Sequence, residues 1–480
     1  MLDVLPDPSL LLPDASRVRD ALGDAGWSAA ALDELLGHGY REHLDRGEHA
    51  PLVRRTAGAS RLARLVRALV VGAPVPDGVL PASWVGADGR ALVRLQAVPH
   101  DGLDLVVPHD AGNAKASVEV EQVLGVGAAS MTLAAATPRH LVGRTLDLGC
   151  GAGVQALLAE DHSGAVVATD SNPRAVAFTR LAAALNGVGL DARTGDLLEP
   201  VAGEAFDLVV SNPPFVISSV GRSGRRYTYR DAGLEGDEVS RRLVQEVPGL
   251  LAPGGHAVLL VNWLHLDGES GDDRVLSWFE GTGCDGWVVQ RELAAPEDYV
   301  TAWLRDTDET RFDELYDAWV SALEGVAAVA FGIVALHRRT DGLPPRTRLD
   351  VVDQPTAATW GEEVTAHFAR RALLEGDVLD LRLKVREDVR LHQAGARGED
   401  GWSVDTRWLQ QDAGLRWSGV LDPYGTALLA ACDGSLPAGA LVAVLAASTG
   451  LDEEDAAAQI RPVLERLVRQ GYLVVGEAPR

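Results

Sequence analysis

The chain is poor in cysteine and lysine and has no long apolar run. Its three cysteines, Cys150, Cys284 and Cys432, stand more than 130 residues apart. That spacing offers neither a zinc ligand set nor a disulfide framework. Lysine occurs only at Lys115 and Lys384, so arginine supplies nearly all of the 44 basic residues. With so much alanine and glycine, this reads as the coding bias of a GC-rich genome. The longest apolar stretch, Val326 to Leu336, falls well short of the ~20 residues a membrane-crossing helix needs. The start, MLDVLPDPSL, lacks the basic opening and apolar core of a signal peptide. These absences predict a cytoplasmic protein with no metal site and no membrane partner.

Acidic residues outnumber basic ones 69 to 44, a net charge of −25. Such a surface repels nucleic-acid phosphates on average, although a local arginine patch overrides an average. With 480 residues, 46% apolar and 24% charged, the chain holds about three ordinary globular domains.

Residues from about 14 to 72 read as helices, with Val18, Leu22, Leu32, Leu35 and Leu36 and then Leu62, Leu65, Val66 and Leu69 at helical spacing. A Pro/Gly-rich break at 73–89 precedes two β-like runs, 91–98 and 103–107. Domain 1–108 is therefore expected to be mainly helical. From 109 to 340 short apolar strands alternate with helices, with strands expected at 145–148, 165–169, 191–194, 206–210 and 256–261. That alternation indicates an α/β layer with a mostly parallel sheet and helices on both faces. Beyond the linker HRRTDGLPPR (337–346) an α+β region, 341–423, has a helix near 360–374 and β-like runs at 389–393, 403–410 and 415–421. The tail, 424–480, has three helical patterns and a strand-like end, an order that resembles a winged helix.

The informative stretch is TLDLGCGAGV, 145–154. An apolar strand runs into Gly149, Gly151 and Gly153 and then into a helix. Glycines let the backbone turn tightly and approach a ligand beside helix N–H groups. Asp147 precedes them, where a dinucleotide site has no acid. Asp170 ends the next strand, 21 residues after Gly149, where a carboxylate accepts hydrogen bonds from ribose hydroxyls.

DLGCGAG resembles the first motif of class I S-adenosylmethionine-dependent methyltransferases. The resemblance implies a Rossmann-like fold and S-adenosylmethionine as cofactor. The loop Gly149, Cys150, Gly151 and Gly153 would pass under the methionine part, and Asp147 would help hold its amino end. Asp170 would meet the ribose and Asp196, after the third strand, the adenine; Ser171, Leu197 and Asn212 are further expected cofactor contacts. Ser130 and Thr132, just upstream, read equally as cofactor-carboxylate contacts or as a helix cap.

The fourth strand, FDLVVS, ends in Asn212-Pro213-Pro214-Phe215. Two prolines stiffen the loop and remove two N–H donors. The Asn212 side-chain carbonyl and the Pro213 backbone carbonyl can grip the hydrogens of a planar NH₂ group, with Phe215 as a flat stacking face. An amide or aromatic amine is a poor nucleophile, and two acceptors stabilise the positive charge it acquires during methyl transfer. This pairing of motifs marks the nitrogen-methylating branch.

The downstream order, Asp231 to Asp237, a helix and Pro253-Gly254-Gly255, resembles release-factor glutamine methyltransferases over roughly 110–265. That resemblance implies a protein glutamine as acceptor. Two features depart from it: Phe215 where tyrosine is commoner, and a long C-terminal region. Phenylalanine also occurs in rRNA guanine methyltransferases, so an rRNA amine is the alternative partner. A non-catalytic cofactor-binding module is an alternative of another class. Arg222, Arg225, Arg226 and Arg230, like Arg54, Arg55, Arg61, Arg64 and Arg67, read either as phosphate contacts or as solvated faces. DNA is not expected: the last helix opens with Asp452, Glu453, Glu454 and Asp455, which cap it well but would repel a groove. The spacing of His38, His43 and His49 fits no metal motif, and Trp402, Trp408 and Trp417 are expected to pack a β-layer.

Overall fold

The computed structural model describes residues 6–111, 121–213, 237–305, 312–398 and 401–476. By packing, one compact unit holds 1–134 and 140–351, and a second holds 135–139 and 352–480.

The first unit is built on eight strands: β1 (Val142–Leu148), β2 (Ser163–Asp170), β3 (Asp191–Thr194), β4 (Phe206–Ser211), β5 (Leu251–Leu266), β6 (Asp285–Ala294), β7 (Val326–His337) and β8 (Thr347–Val351). Their order is β8-β6-β7-β5-β4-β1-β2-β3. All neighbours pair in parallel except β7, which runs antiparallel to both β5 and β6. The five expected strands are β1 to β5. Val209, Ala257, Leu259 and Val261 are fully buried, as strands covered on both faces require. The order reverses between β2 and β4, which flank β1, so a crevice opens past the C-terminal ends of β1 and β4.

Helices α1 (Ala128–Ala136), α2 (Val154–Glu160), α3 (Pro173–Asn186), α4 (Glu238–Glu246) and α5 (Gly271–Ser277) accompany the sheet. Helix α3 shows how the sequence punctuates it. Asn172 accepts the Arg174 N–H as N-cap, Pro173 opens the first turn, and Gly187 closes the helix at φ 72°.

Two features lay outside the sequence reading. A helical hairpin, α6 (Pro296–Arg305) and α7 (Phe312–Ala322), links β6 to β7. It packs Tyr299, Val300 and Leu304 on Leu264 and Val329. The sheet also continues past the boundary expected at 340. Residues 347–351 alternate too weakly to read as a strand, and pairing with β6 makes them one.

The N-terminal helices, Ala15–Asp24 to Arg61–Leu69, precede a hairpin of Val93–His100 and Leu103–Asp110. Its turn places Asp101 and Gly102 at positive φ, the two-residue turn that suits strand twist. Leu11, Val18 and Leu22 share one core with Phe178, Leu181 and Leu185 of α3, so packing marks no break at 108. The buried Asp110 accepts from Arg174 Nε at 3.0 Å and from the Val123 N–H at 2.8 Å.

In the second unit, helix Gly361–Leu373 precedes two three-stranded sheets. In one, Arg382–Val385 lies between Asp433–Pro437 and Leu473–Val475. The tail's two strands therefore flank an upstream strand and do not pair with each other. Helices Pro423–Ala431, Ala438–Thr449 and Glu453–Arg469 surround it. Asp452 caps the last, accepting from Glu454 and Asp455 N–H. The other sheet joins Val389–Gly398, Gly401–Gln411 and Ser418–Leu421. His392 stacks on Trp408 there, but Trp402 is 77% exposed, against the expectation that it packs the layer.

Candidate active site

Strand β1 ends at Leu148, and three glycines then turn the chain into α2. Gly149, Gly151 and Gly153 sit at φ 79°, 53° and 86°, values L-residues rarely adopt. The turn is pinned from β2, where Thr169 O accepts Gly149 N at 2.8 Å and Cys150 N at 2.9 Å. Room differs along it. Among the described residues, a side chain at Gly151 would meet nothing within 4 Å, whereas one at Gly153 would press on Thr179 of α3 at 3.1 Å. Gly153 is therefore needed for packing, a Cβ at Gly149 would come to 3.9 Å from Asn212 O, and Gly151 borders open space among the described residues.

The expected residues take different places. Asp147 is buried, with one carboxylate oxygen on the Ala156 N–H of α2 at 2.9 Å. Burial, helped by the charge of Asp170, pushes its pKa up to about 7. Asp170 ends β2 and accepts from Gly151 N and Asn172 N, one on each oxygen, both at 2.9 Å. Burial raises its pKa as well. Two carboxylates beside one crevice favour a cationic ligand and disfavour a phosphate.

Cys150 enters the site through its backbone alone. Its thiol is buried in an apolar cluster under Thr179 and held well above the usual thiol range by burial. Ser171 and Asp196 are exposed. Leu197 sits at φ 42°, a strained backbone for a branched side chain, and such strain gathers where a site demands it.

Strand β4 runs beside β1, with Ser211 opposite Leu148. The Ser211 hydroxyl donates to Leu148 O at 2.7 Å and locks the two strand ends together. Asn212 therefore stands next to the glycine turn. Its Nδ2 donates to Ser130 Oγ at 3.2 Å, while its buried Oδ1 has no partner among the described residues. An unsatisfied buried acceptor costs roughly 1–3 kcal/mol, so a donor arriving there is favoured. Pro213 is buried beside it. Pro214, Phe215, Arg222, Arg225, Arg226, Arg230 and Asp231 to Gly236 lie outside the described residues.

Ser130 thus meets the acceptor residue, and Thr132 donates to Ala128 O of its own helix at 3.0 Å. The neighbour missed from sequence is Gln155, whose buried side chain donates to Ser130 O at 2.7 Å. A glutamine two residues past the glycine turn carries no signal of that contact. No His/Cys/Asp/Glu cluster able to hold a metal occurs among the described residues. No helix among them is long and apolar enough to cross a membrane.

The site can be compared with known proteins. A Geobacter sulfurreducens release factor glutamine methyltransferase is 32% identical over 156 residues, 30% of this chain and 52% of that protein. An Alcanivorax borkumensis ribosomal RNA small subunit methyltransferase C is 33% identical over 120 residues, 25% of this chain and 32% of that protein. The chain thus spans about half or less of these relatives' length. The solved T. thermophilus 16S rRNA N2 G1207 methyltransferase, in complex with AdoMet and guanosine, has 22% identity and a TM-score of 0.27, covering 45% of this chain and 60% of that one. Residues 24–108 and 365–475 match two domains of unknown function, DUF7059 and DUF7782. Between them, residues 123–269 match the methyltransferase small domain family.

Proposed function

We propose that the protein is an S-adenosylmethionine-dependent N-methyltransferase acting on a planar NH₂ nitrogen. One observation carries the reading. The paired ends of β1 and β4 set a glycine turn, bordered by Asp170, beside an asparagine whose carbonyl oxygen has no donor among the described residues. The open space at Gly151 and the two carboxylates suit a cationic nucleoside cofactor. Bound there, S-adenosylmethionine would supply an electrophilic methyl group.

The chain's own residues do the rest. Gly149 and Gly151 admit the cofactor backbone, Asp170 has lone pairs left for ribose hydroxyls, and Asp147 offers charge to an ammonium group. Asn212 Oδ1 accepts an N–H of the nucleophile and stabilises the positive charge that develops on nitrogen. Holding that nitrogen in line supplies much of the remaining rate enhancement. No strong general base is needed, because the nitrogen becomes acidic as it is alkylated.

A protein glutamine is the leading acceptor, as for the Geobacter relative, and an rRNA amine is the rival. The hairpin α6–α7 follows the C-terminal end of β6, on the crevice edge of the sheet, and bears Glu297, Asp298, Asp313 and Asp317. Carboxylates there disfavour a polyphosphate. Residues 1–108 and, beyond β8, 352–480, including the winged-helix-like tail 424–480, are read as protein-recognition modules of a cytoplasmic enzyme.

The test uses lysate from cells lacking this gene, the purified protein and tritium-labelled S-adenosylmethionine. Label that survives RNase and is lost to protease supports glutamine methylation. Label lost to RNase makes the acceptor an RNA base. Cofactor binding with no transfer to any fraction makes the protein a non-catalytic module.

A further inference from the structure

We infer that Ser130 is a positioning residue, holding the Asn212 amide by its nitrogen and leaving its oxygen to the methyl acceptor. The inference rests on the reading of Asn212 given above.

An asparagine amide has two orientations of nearly the same shape and opposite chemistry. With Oδ1 outward it accepts from an NH₂ group. With Nδ2 outward it sets donor against donor. A serine hydroxyl can pair with either end, donating to Oδ1 or accepting from Nδ2, and the structure shows the second pairing. Ser130 Oγ, at 3.2 Å, accepts from Nδ2 and leaves Oδ1 without a partner among the described residues. The flipped amide would leave two buried N–H donors pointing at the acceptor.

Ser130 is itself held. Buried Gln155, in the first turn of α2, donates Nε2 to Ser130 O at 2.7 Å. Helix α2 opens from the glycine turn, so the Gln155 side chain, the backbone and hydroxyl of Ser130 and the Asn212 amide link that turn to the end of β4. The linkage crosses from β1 to β4 on the crevice side, where an error in amide orientation would be felt at once.

The experiment compares the full-length protein with its Ser130→Ala, Ser130→Thr and Gln155→Leu variants. The chain has five asparagines, so ¹⁵N-asparagine labelling gives few side-chain amide signals, and Asn212→Asp assigns one by its loss. In Ser130→Ala the Asn212 amide should exchange with solvent about tenfold faster, as expected for one lost hydrogen bond. Affinity for S-adenosylhomocysteine should stay unchanged, and Ser130→Thr should restore slow exchange. With labelled cofactor and the acceptor fraction identified above, kcat of Ser130→Ala should fall by up to roughly a hundredfold, with the cofactor KM unaltered. Gln155→Leu should follow in the same direction with a smaller loss.

Unchanged Asn212 exchange in Ser130→Ala, or full kcat in that variant, overturns the inference. A wild-type protein that transfers no label yet shows Ser130-dependent exchange supports the hold on Asn212. That result overturns the reading of Asn212 as the acceptor's grip.

Discussion

Asp170 holds Gly151: the carboxylate at the end of β2 accepts the N–H of the middle glycine at 2.9 Å. The residue expected to meet the ribose therefore also shapes the glycine turn. Asp170→Ala should weaken S-adenosylhomocysteine binding by roughly tenfold to a hundredfold, since hydrogen bonds to a charged group are worth about 1.5–3 kcal/mol. Calorimetry on a variant with an unchanged melting profile checks this. Retained affinity would remove Asp170 from the site.

Asn212→Ala should behave differently. Binding of the cofactor product should persist, while kcat falls by about 10²–10³, the usual cost of one electrostatic contact to a transition state. Single-turnover transfer of tritium measures it, and full activity would end the case for the acceptor loop.

The carboxyl of Asp147, raised by burial from 3.8 to about 7, makes two pH predictions. Between these values the unfolded chain releases a proton that the folded protein keeps. Stability should therefore decline from about pH 4 to pH 7 and then level. The ammonium of S-adenosylhomocysteine prefers the ionised carboxylate, so binding should tighten as pH rises through about 7. Asp147→Asn should flatten both profiles, as thermal shift and calorimetry across that range would report.

At the opposite end of the sheet His256 stacks on His337, with ring centroids 4.6 Å apart, and meets His140 edge-on. Burial, with the two neighbouring rings, lowers its pKa from 6.5 to about 3. The stability this confers is complete above about pH 6.5 and is lost as pH falls toward 3. At pH 4.5 the loss should be on the order of 2 kcal/mol. Denaturant melts of the protein and of His256→Leu, at pH 7.5 and 4.5, should diverge accordingly.

Gly153→Ala tests packing. The new methyl would press on the Thr179 backbone at 3.1 Å, at a φ of +86°. Overpacking and left-handed strain together should destabilise the first unit by roughly 2–4 kcal/mol. Gly151→Ala, which meets no atom of the described residues within 4 Å, should cost only the strain, about 1–2 kcal/mol, and should impair cofactor binding more than folding.

Much of the site was readable because its parts are local. The glycine turn, Asp147 and Asp170 each sit at a strand end that apolar runs announce. Asn212 follows the strand that pairs with β1. The α6–α7 hairpin and β8 were not readable. The hairpin's aromatic residues acquire meaning only against Leu264 and Val329, and TRLDV becomes a strand only beside β6. The place of Cys150 in the motif says nothing of its side chain, which the turn sends into the core beneath Thr179.

The order of motifs along the chain was enough to specify the alternating strands and the glycine turn, and to single out Asp147, Asp170 and Asn212 at the strand ends. These depend on backbone freedom at glycine, stiffness at proline and apolar periodicity, all of which act over a few residues. Tertiary structure alone decided which way the Asn212 amide faces, how strongly Asp147 holds its proton and where the sheet ends. Those outcomes depend on groups distant in sequence: Ser130 and Gln155 against Asn212, two carboxylates sharing one crevice, and a strand drawn in at the far edge.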